Sequence, residues 1–367
     1  MTRVLERQNF VLGEEVEQLE RAIAAMQGCD DAVGCANGSD ALLLSILALG
    51  IGPGDAVVVP PLTFFATAGA VVRAGARPIF ADIDPRTLNI SATAVEAALA
   101  DPVYGKKIKL IIPVHLYGQC AEMDPLLALA RKHEVHIVED AAQAILATYH
   151  GQPAGSLGIT GCFSFYPTKN LGGAGDGGMI TTRDAALAAR LRRLRNHGSS
   201  DRLTYPEVGI NSRLDTLQAA ILLVKSKHLR EWTDQRRARA ADYRRFFAEI
   251  FGAASRQDAA AGYPSKDAPV VLPHESLTGE HVYHQFTIRA LRRDELAAHL
   301  QARGIGTMIY YPVALHRQPA FQGFDADSAQ CPEAERAAAE VLSLPLFPEL
   351  SSDQQQRVVE EILTFYR

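Results

Sequence analysis

Three kinds of sequence are missing from this 367-residue chain, and each absence excludes a class of protein. No apolar run reaches the roughly 18 residues that a membrane span requires, and the first residues, MTRVLER, are charged where a secretion signal would be apolar. The 42 acidic residues outnumber the 37 Lys and Arg residues, so no overall basic field attracts nucleic acid or anionic lipid. We therefore expect a cytoplasmic protein with no membrane and no nucleic-acid partner.

Cysteine is scarce as well. The five cysteines, at positions 29, 35, 120, 162 and 331, are odd in number and include no C-x-x-C pair. This pattern argues against a disulfide framework and a zinc site, so we expect no metal and a reducing compartment. Hydrophobic residues, at 47%, and charged residues, at 22%, have the proportions of an ordinary globular protein.

Between about residues 30 and 200, short β-rich runs alternate with helical patterns. The predicted strands are 56–60, 78–81, 110–114, 136–139 and 162–165, and the predicted helices lie near 40–50, 66–75, 92–100 and 123–133. The strand runs are continuously apolar, which is typical of a mainly parallel sheet covered by helices on both faces. The fold class is therefore predicted to be α/β.

The C-terminal third has a different pattern. A long helical stretch covers 213–249, and a Gly-, Ser-, Pro- and Asp-rich passage at 252–268 is the best linker candidate. The passage is followed by a small α+β unit, with predicted strands 282–288 and 306–311 and predicted helices 294–303, 332–341 and 351–365. We therefore predict a large domain over 1–245 and a small C-terminal domain over 246–367.

Reactive groups of an open α/β sheet lie just beyond the carboxyl ends of its strands. At one such end, Asn37-Gly38-Ser39-Asp40 opens a helical segment, and the backbone N–H groups of Gly38 and Ser39 would suit a phosphate. The alternative is that Ser39 or Asp40 merely caps the helix. At a second end stands Asp140, which either caps the next helix or meets a fixed cation such as a protonated ring nitrogen.

The third end carries Lys169, which precedes a glycine-dense run from Leu171 to Gly178. A desolvated lysine has a lowered pKa and attacks carbonyl groups, whereas a lysine in an open loop would simply be solvated. Within the run, GAGDGG (173–178) matches G-x-G-x-x-G, but the β-like MITT follows where a dinucleotide site needs a helix. The match therefore does not indicate an NAD site.

Together the three ends supply what pyridoxal 5'-phosphate (PLP) requires. This cofactor needs a lysine for its Schiff base, a carboxylate that keeps its ring nitrogen protonated, and an anion site for its phosphate. Lys169, Asp140 and the Gly38-Ser39 pair fill these roles in that order.

Eight ordered strings resemble the DegT/DnrJ/EryC1/StrS family of PLP-dependent sugar aminotransferases, from about residue 10 to the C-terminus. They are PPLTFFAT (60–67), ADIDPRTLNI (81–90), PVHLYGQ (113–119), VEDAAQA (138–144), SFYPTKNLGGAGDGG (164–178), GINSRLDTLQAAIL (209–222), TMIYYPVALHRQPAF (307–321) and LSLPLFPEL (342–350). The resemblance implies fold type I architecture and a homodimer with shared active sites.

The resemblance also implies a set of site residues. Lys169 would form the Schiff base, Asp140 would contact the pyridine nitrogen, Gln143 would lie near the ring hydroxyl and Phe64 would stack on the ring. Gly38, Ser39 and Ser164 would bind the phosphate, and Asn211 would reach the phosphate in the partner subunit's site. Tyr311 and His316 are further candidates, as contacts of the sugar or its diphosphate, and the alternative for these two is an ordinary packed tyrosine and a surface histidine. One departure is Tyr310, where many members have a histidine.

We therefore expect transfer of an amino group from an amino acid, by resemblance L-glutamate, through pyridoxamine phosphate to a nucleotide-linked keto-sugar. The 164–178 string resembles the form found in 3-keto-sugar aminotransferases more than the T-T-G-E-G-G form of 4-keto enzymes, so the resemblance favours a 3-keto sugar. Two alternatives stay open: a PLP-dependent sugar dehydratase, in which histidine is expected at position 169, and a non-catalytic regulator with the same fold.

Overall fold

A computed structural model describes residues 1–201, 203–251, 255–256, 263–324 and 329–367. The strands are β1 Asp31–Cys35, β2 Ala56–Val59, β3 Arg77–Phe80, β4 Ile108–Ile111, β5 His136–Asp140, β6 Thr148–Tyr149, β7 Gln152–Pro153, β8 Thr160–Ser164, β9 Gly178–Thr182, β10 Ser255–Arg256, β11 Val270–Val271, β12 Gly279–Glu280, β13 Phe286–Ala290 and β14 Val341–Leu344. The α-helices are α1 Thr2–Arg7, α2 Glu14–Met26, α3 Gly38–Ala48, α4 Ala66–Arg73, α5 Ala92–Leu99, α6 Met123–His133, α7 Ala185–Leu194, α8 Thr216–Lys225, α9 Leu229–Phe251, α10 Arg293–Ala302, α11 Pro332–Glu340 and α12 Ser352–Tyr366. None of the helices within these ranges combines the length and the apolar character that crossing a bilayer would need.

A seven-stranded sheet in the order β1-β9-β8-β5-β4-β2-β3 forms the centre of the molecule. Both neighbours of β9 run antiparallel to it, and all the other neighbouring pairs are parallel. The expected α/β class with a mainly parallel sheet is thus confirmed. Because only β9 is reversed, the connection from β8 to β9 lies at the end of the sheet where the parallel strands finish.

Each face of this sheet is covered by its own apolar core. Val57 and Val59 of β2 point into one core, with α3, α4 and α7, whereas Ala56 and Val58 point into the other, with α2, α5, α6 and α8. This alternation follows from the period of two residues along a strand. A strand that is buried on both faces reads as a continuous apolar run, which is why AVVV predicted β2 correctly.

A third apolar core lies in the C-terminal part of the chain, between the β10-β11-β13-β14 sheet and helices α9, α10 and α12. The predicted strand 282–288 begins later, at Phe286, because the N–H groups of Val282 and Gln285 donate to Gly118 and Tyr117 instead. The predicted strand 306–311 is wrong. Met308 alone makes an isolated bridge, to Ser343, and the tyrosines that follow face a cavity.

The long helix predicted over 213–249 is two helices. A turn at 226–228 separates α8 from α9, and α9 then continues through the predicted domain boundary at 245 to Phe251. The division into domains over 1–245 and 246–367 accordingly stays a prediction. Most of the linker candidate at 252–268 lies outside the described residues.

Candidate active site

A cavity of about 650 Å³ opens where the parallel strands of the central sheet end. Eight of the ten predicted site residues line it: Gly38, Ser39, Phe64, Asp140, Gln143, Ser164, Lys169 and Tyr311. These residues are distant in sequence and are brought together because the carboxyl ends of parallel strands share one edge of a sheet.

The first turn of α3 forms one wall of the cavity. The side chain of Asn37 caps this helix by accepting from the N–H of Asp40, at 2.8 Å, so neither Ser39 nor Asp40 is the cap. The N–H groups of Gly38 and Ser39 begin the helix and have no intrahelical acceptor. A Cβ on Gly38 would lie 2.7 Å from Cβ of Ser164. Only glycine therefore lets the helix start against the Ser164 hydroxyl, in a cradle that suits a phosphate.

Asp140 is 5% exposed at the end of β5. The hydroxyl of Thr67 donates to Oδ2 at 2.8 Å, and the N–H of Ala142 donates to Oδ1 at 3.2 Å. Burial raises the pKa of Asp140, and these two hydrogen bonds and the Lys169 charge only partly oppose it. The structure places no helix directly after Asp140, so helix capping does not explain this carboxylate. Its environment suits a cationic partner in the cavity.

Lys169 lies on the β8–β9 connection. Burial lowers the pKa of its amine to about 8, against the opposing charge of Asp140. Its Nζ makes no hydrogen bond or ion pair with the part of the chain that the structure describes. A Cβ on Gly172 would lie 2.4 Å from the carbonyl of Pro167, so the glycines after Lys169 allow the connection to fold tightly. Gly178 then starts β9, which agrees with the rejection of an NAD site.

The side-chain amide of Gln143 is held in one orientation by two hydrogen bonds, one of them to Tyr311. The carbonyl oxygen of Gln143 accepts from the N–H of Tyr117, at 2.7 Å, and its NH2 group donates to the Tyr311 hydroxyl at 3.2 Å. Tyr117 also donates its hydroxyl to the carbonyl of Tyr310. Phe64, which is 57% exposed, stands 6.2 Å from Tyr311 between ring centroids. The cavity thus has a flat apolar wall beside a set of oriented polar groups.

Two predicted site residues do not reach this cavity. Asn211 is exposed on the loop before α8 and does not line the cavity of its own chain. His316 is 0% exposed, and its Nε2 lies 2.9 Å from Oε1 of Glu335 in α11. The structure therefore does not support a substrate contact at His316, because a fully enclosed ring that pairs with α11 has no surface to offer a ligand.

Three residues in or beside the site were missed by sequence reasoning. Thr67 stands within the string PPLTFFAT. A hydroxyl side chain at a strand-to-helix junction can donate a hydrogen bond into the site, so this residue could have been predicted from the sequence. His284 lines the cavity, and Asn170 holds it from beside Lys169. Asn170 stands in the SFYPTKNLGGAGDGG string directly after Lys169. His284 lies in none of the eight strings, and only the fold brings it next to the other residues.

These features define a class of protein. The reversed β9, the lysine on the β8–β9 connection and the carboxylate at the end of β5 are those of a fold type I PLP-dependent transferase. The residues present also fit the cofactor, because Asp140 is a buried carboxylate with few partners and the Gly38–Ser164 cradle has no room for a side chain.

Comparison with known proteins gives the family. The sequence model of the DegT/DnrJ/EryC1/StrS aminotransferase family matches residues 1–363, and the chain belongs to this family of PLP-dependent enzymes. A "Pleiotropic regulatory protein" of Geobacillus stearothermophilus is 50% identical over 100% of this chain and 93% of its own length. The UDP-N-acetyl-3-dehydro-alpha-D-glucosamine 3-aminotransferase of Acidithiobacillus ferrooxidans is 45% identical, over 98% of this chain and 91% of its own.

Solved structures agree with this assignment. DesV of Streptomyces venezuelae is 42% identical and superimposes with a TM-score of 0.90, over 100% of this chain and 93% of that chain. NtdA of Bacillus subtilis, solved with bound pyridoxamine phosphate, is 31% identical with a TM-score of 0.87, over 100% of this chain and 80% of that chain. The protein is therefore a PLP-dependent aminotransferase.

Proposed function

We propose that the protein transfers an amino group from L-glutamate to a nucleotide-linked 3-keto sugar. The observation that carries the proposal is the buried Lys169 amine, which shares one cavity with the buried Asp140 carboxylate. The sugar class is supported by the A. ferrooxidans relative, whose name specifies a UDP-linked 3-aminotransferase reaction. Lysine at position 169 also disfavours the dehydratase alternative.

Lys169 is proposed to move the proton in this reaction. Bound PLP supplies an electron sink for the bond electrons that remain when the donor α-carbon loses its proton. An amine whose pKa is lowered to about 8 both accepts and donates a proton near neutral pH. Asp140 would hold the ring nitrogen in its protonated form, since an ionised carboxylate in a buried site favours a nearby cation.

The other cavity residues are proposed to bind and orient. The N–H groups of Gly38 and Ser39 and the hydroxyl of Ser164 would hold the phosphate, and Phe64 would cover the ring face. Gln143 presents its NH2 group toward Tyr311, because its carbonyl oxygen is already taken by Tyr117. Tyr311 then offers its hydroxyl to the sugar side of the cavity.

A second copy of the chain is proposed to complete the site. Leu203, Tyr205 and Val208 are 84%, 60% and 95% exposed on the segment that leads to the exposed Asn211. Apolar side chains exposed together in this way are typical of a surface that another protein covers. Docking of a partner there would hide these side chains and would let Asn211 reach the phosphate in the partner's site.

The first experiment tests the lysine. Purified protein with PLP should show a visible absorption band that L-glutamate shifts as the amine form accumulates. Lys169→Ala should lose the band and lower transfer by at least about 10³-fold, the upper range for a general acid–base group. Lys132→Ala, in which an exposed lysine paired with Glu96 is removed, is the matched control. Wild-type behaviour of Lys169→Ala would refute the proposal.

The second experiment tests the sugar. A panel of dTDP-, UDP- and GDP-linked 3-keto and 4-keto sugars is offered with L-glutamate, and product formation is followed by mass spectrometry. We expect amination of a 3-keto substrate. Turnover confined to 4-keto sugars would replace that part of the proposal with the 4-keto alternative.

The third experiment tests the shared site. Lys169→Ala and Asn211→Ala subunits, each inactive alone, should regain part of the activity when they are mixed as hybrid dimers, because one of the two sites is then intact. Demonstrated hybrids without recovered activity would show that Asn211 does not act across an interface.

A regulatory role is the second candidate function, and the name of the 50% identical relative is the observation that favours it. The two candidates differ in one measurement. A non-catalytic regulator would bind PLP without converting it to the amine form when L-glutamate is added, whereas an aminotransferase converts it.

A further inference from the structure

The connection from β8 to β9 forms a loop that carries Lys169. The N–H of Phe165 donates to the carbonyl of Gly177 at 2.8 Å, which closes the base of this lysine loop, residues 166–176. Within the loop, the N–H of Lys169 donates to the carbonyl of Tyr166 at 2.9 Å. Lys169 therefore stands on a tight turn, and the position of that turn depends on how the rest of the loop is held.

Lys225 of α8 holds the lysine loop close to Lys169. Its Nζ donates to the carbonyl of Gly172. A Cβ on Gly172 would collide with the carbonyl oxygens of Pro167 and Tyr166, so Gly172 lies directly against the turn on which Lys169 stands. Lys225 is half-buried and pairs with no carboxylate in the described part of the chain, so its ammonium group is committed to this carbonyl.

Gln218 holds the lysine loop from the same helix. Its Oε1 accepts from the N–H of Ala174 at 2.8 Å. A Cβ on Gly173 would lie 2.7 Å from this oxygen, and a Cβ on Gly175 would lie 2.9 Å from Nε2 of the same amide. Gln218 and Lys225 are seven residues apart, which is two helical turns, so both side chains project from one face of α8. The glycines let the loop lie against that face.

Helix α8 is itself firmly placed. Ala219 and Leu222 are fully buried in the apolar core on one side of the central sheet. At the start of the helix, the N–H of Thr216 donates to the carbonyl of Phe10 at 3.0 Å, and its hydroxyl accepts from the N–H of Gly13 at 3.1 Å. None of the described cavity-lining residues comes from α8. The helix therefore acts on the site through the loop that it holds.

We propose that Lys225 and Gln218 are positioning residues, which hold Lys169 where its amine meets the aldehyde group of PLP. A lysine on a loosely held loop is in the reactive position for only part of the time, and its apparent affinity for the cofactor falls by that fraction. The inference rests on the proposed role of Lys169 in binding PLP, and the Lys169→Ala protein tests that role separately.

Matched substitutions in the PLP-free protein test the inference. Lys225→Met and Gln218→Met keep the approximate size of each side chain and remove its hydrogen bond, whereas Lys225→Arg keeps a donor and Gln218→Glu keeps an acceptor. The dissociation constant of PLP, from titration of the visible band, should rise about five- to tenfold in both methionine substitutions, as loss of one hydrogen bond implies. The two conservative substitutions should stay within about twofold of the wild type. Lys227→Met, which removes an exposed lysine just after α8, is the control.

Two further measurements separate positioning from general stability. Pyridoxal, which lacks the phosphate, should be weakened by the same factor as PLP, because the change lies at the lysine and not at the phosphate cradle. Hydrogen–deuterium exchange should become faster in peptides that cover 166–178 of Lys225→Met, while the rest of the chain keeps the wild-type rates.

Three outcomes overturn the inference alone. They are an unchanged dissociation constant in folded Lys225→Met, a weakening confined to PLP and absent with pyridoxal, and faster exchange throughout the chain, which would show that Lys225 only stabilises the fold. A visible band that persists in Lys169→Ala would instead refute the proposed role of Lys169, and the inference with it. None of these measurements depends on amino transfer, so a failure of the proposed activity would be recognised separately.

Discussion

Glu139 and Asp140 are adjacent carboxylates at the end of β5, both buried, at 0% and 5% exposure, yet they lie in different environments. Successive residues of a strand point to opposite faces of the sheet, so the two side chains enter different regions of the molecule. Glu139 accepts four hydrogen bonds of 2.7 to 2.8 Å, from the His115 ring and from the N–H groups of Gly155, Leu157 and Gly158. Asp140 accepts two, at 2.8 and 3.2 Å, from Thr67 and Ala142.

The difference separates a structural charge from a functional one. The ring of His115 donates to Glu139 through Nε2, because its Nδ1 accepts from the N–H of Ala121. Both carboxylate oxygens of Glu139 therefore accept hydrogen bonds from fixed donors. The burial of Asp140 is only partly compensated, and its pKa is raised. A buried charge with few partners is costly, and such residues are concentrated where a ligand supplies the missing partner.

The largest expected effect is on catalysis, at Asp140. Asp140→Asn keeps the size and the Thr67 contact but removes the charge that we propose for the ring nitrogen. Amino transfer should fall by about 10²–10³-fold, the effect of losing one preorganised electrostatic contact. Steady-state kinetics with saturating PLP measures this, and urea unfolding should show little loss of stability. A fully active Asp140→Asn protein would show that the charge of Asp140 has no role in catalysis.

The next effect is on stability, at Glu139. Glu139→Gln turns one acceptor oxygen into a donor that faces other donors, and the free energy of unfolding should fall by about 3 kcal/mol. Urea unfolding of the PLP-free protein measures the change, and Glu96→Gln, at an exposed carboxylate, is the control. Activity per PLP-loaded subunit should stay within about threefold of wild type if Glu139 only holds the fold. A loss of activity as large as that of Asp140→Asn would show that Glu139 also contributes to catalysis and does not only hold the fold.

A smaller effect is expected at Thr67. Its hydroxyl lowers the pKa of Asp140, so Thr67→Val raises that pKa further and leaves less of the ionised form at a given pH. The acid limb of the pH–activity profile should move to higher pH, with about a tenfold loss on that limb, as expected for a hydrogen bond to a charged group. Thr233→Val, at a buried threonine of α9 whose hydroxyl donates to the carbonyl of Leu229, should leave the profile in place.

The smallest effect is a pH dependence of stability in the PLP-free protein. Because the folded pKa of Asp140 is raised, the native state binds more protons than the unfolded state between the usual pKa and the raised one. The free energy of unfolding must therefore decrease as pH rises through that window, by up to about 1.4 kcal/mol per pH unit. Subtracting the Asp140→Asn curve isolates this slope. A difference curve that rises with pH would mean that Asp140 is stabilised as a charge.

Sequence reasoning predicted the central sheet well and the C-terminal part less well. Strands such as β2 are apolar on both faces, so residue type alone marks them. The 306–311 segment has the same β-favouring residue types, but its tyrosines face a cavity and Met308 alone makes a bridge. Residue type cannot distinguish a strand from a cavity wall, because both bury such side chains.

The site divides in a similar way. Lys169, Asp140 and Gly38 follow strands, where topology places reactive groups, and all three line one cavity. His284 comes from the distant C-terminal part and carries no local pattern, so sequence position alone could not place it. His316 shows the converse, since this histidine stands in a family-like string but its ring is buried and hydrogen-bonds to Glu335. Which histidine faces a ligand is decided by packing.

Strand β1 lies at the edge of the central sheet, and β9 is its one neighbour among the described residues, which has a consequence for how the protein is made. A ribosome delivers Asp31–Cys35 long before Gly178–Thr182, so the first strand emerges without the neighbour that fixes its place in the sheet. The start of α3 stays unfinished for as long, because Gly38 is positioned against Ser164 and Gly178 against Asn37. Nascent chains that end before Gly178 should therefore lack a competent phosphate cradle, so cofactor capture is confined to the later part of synthesis or to the released chain.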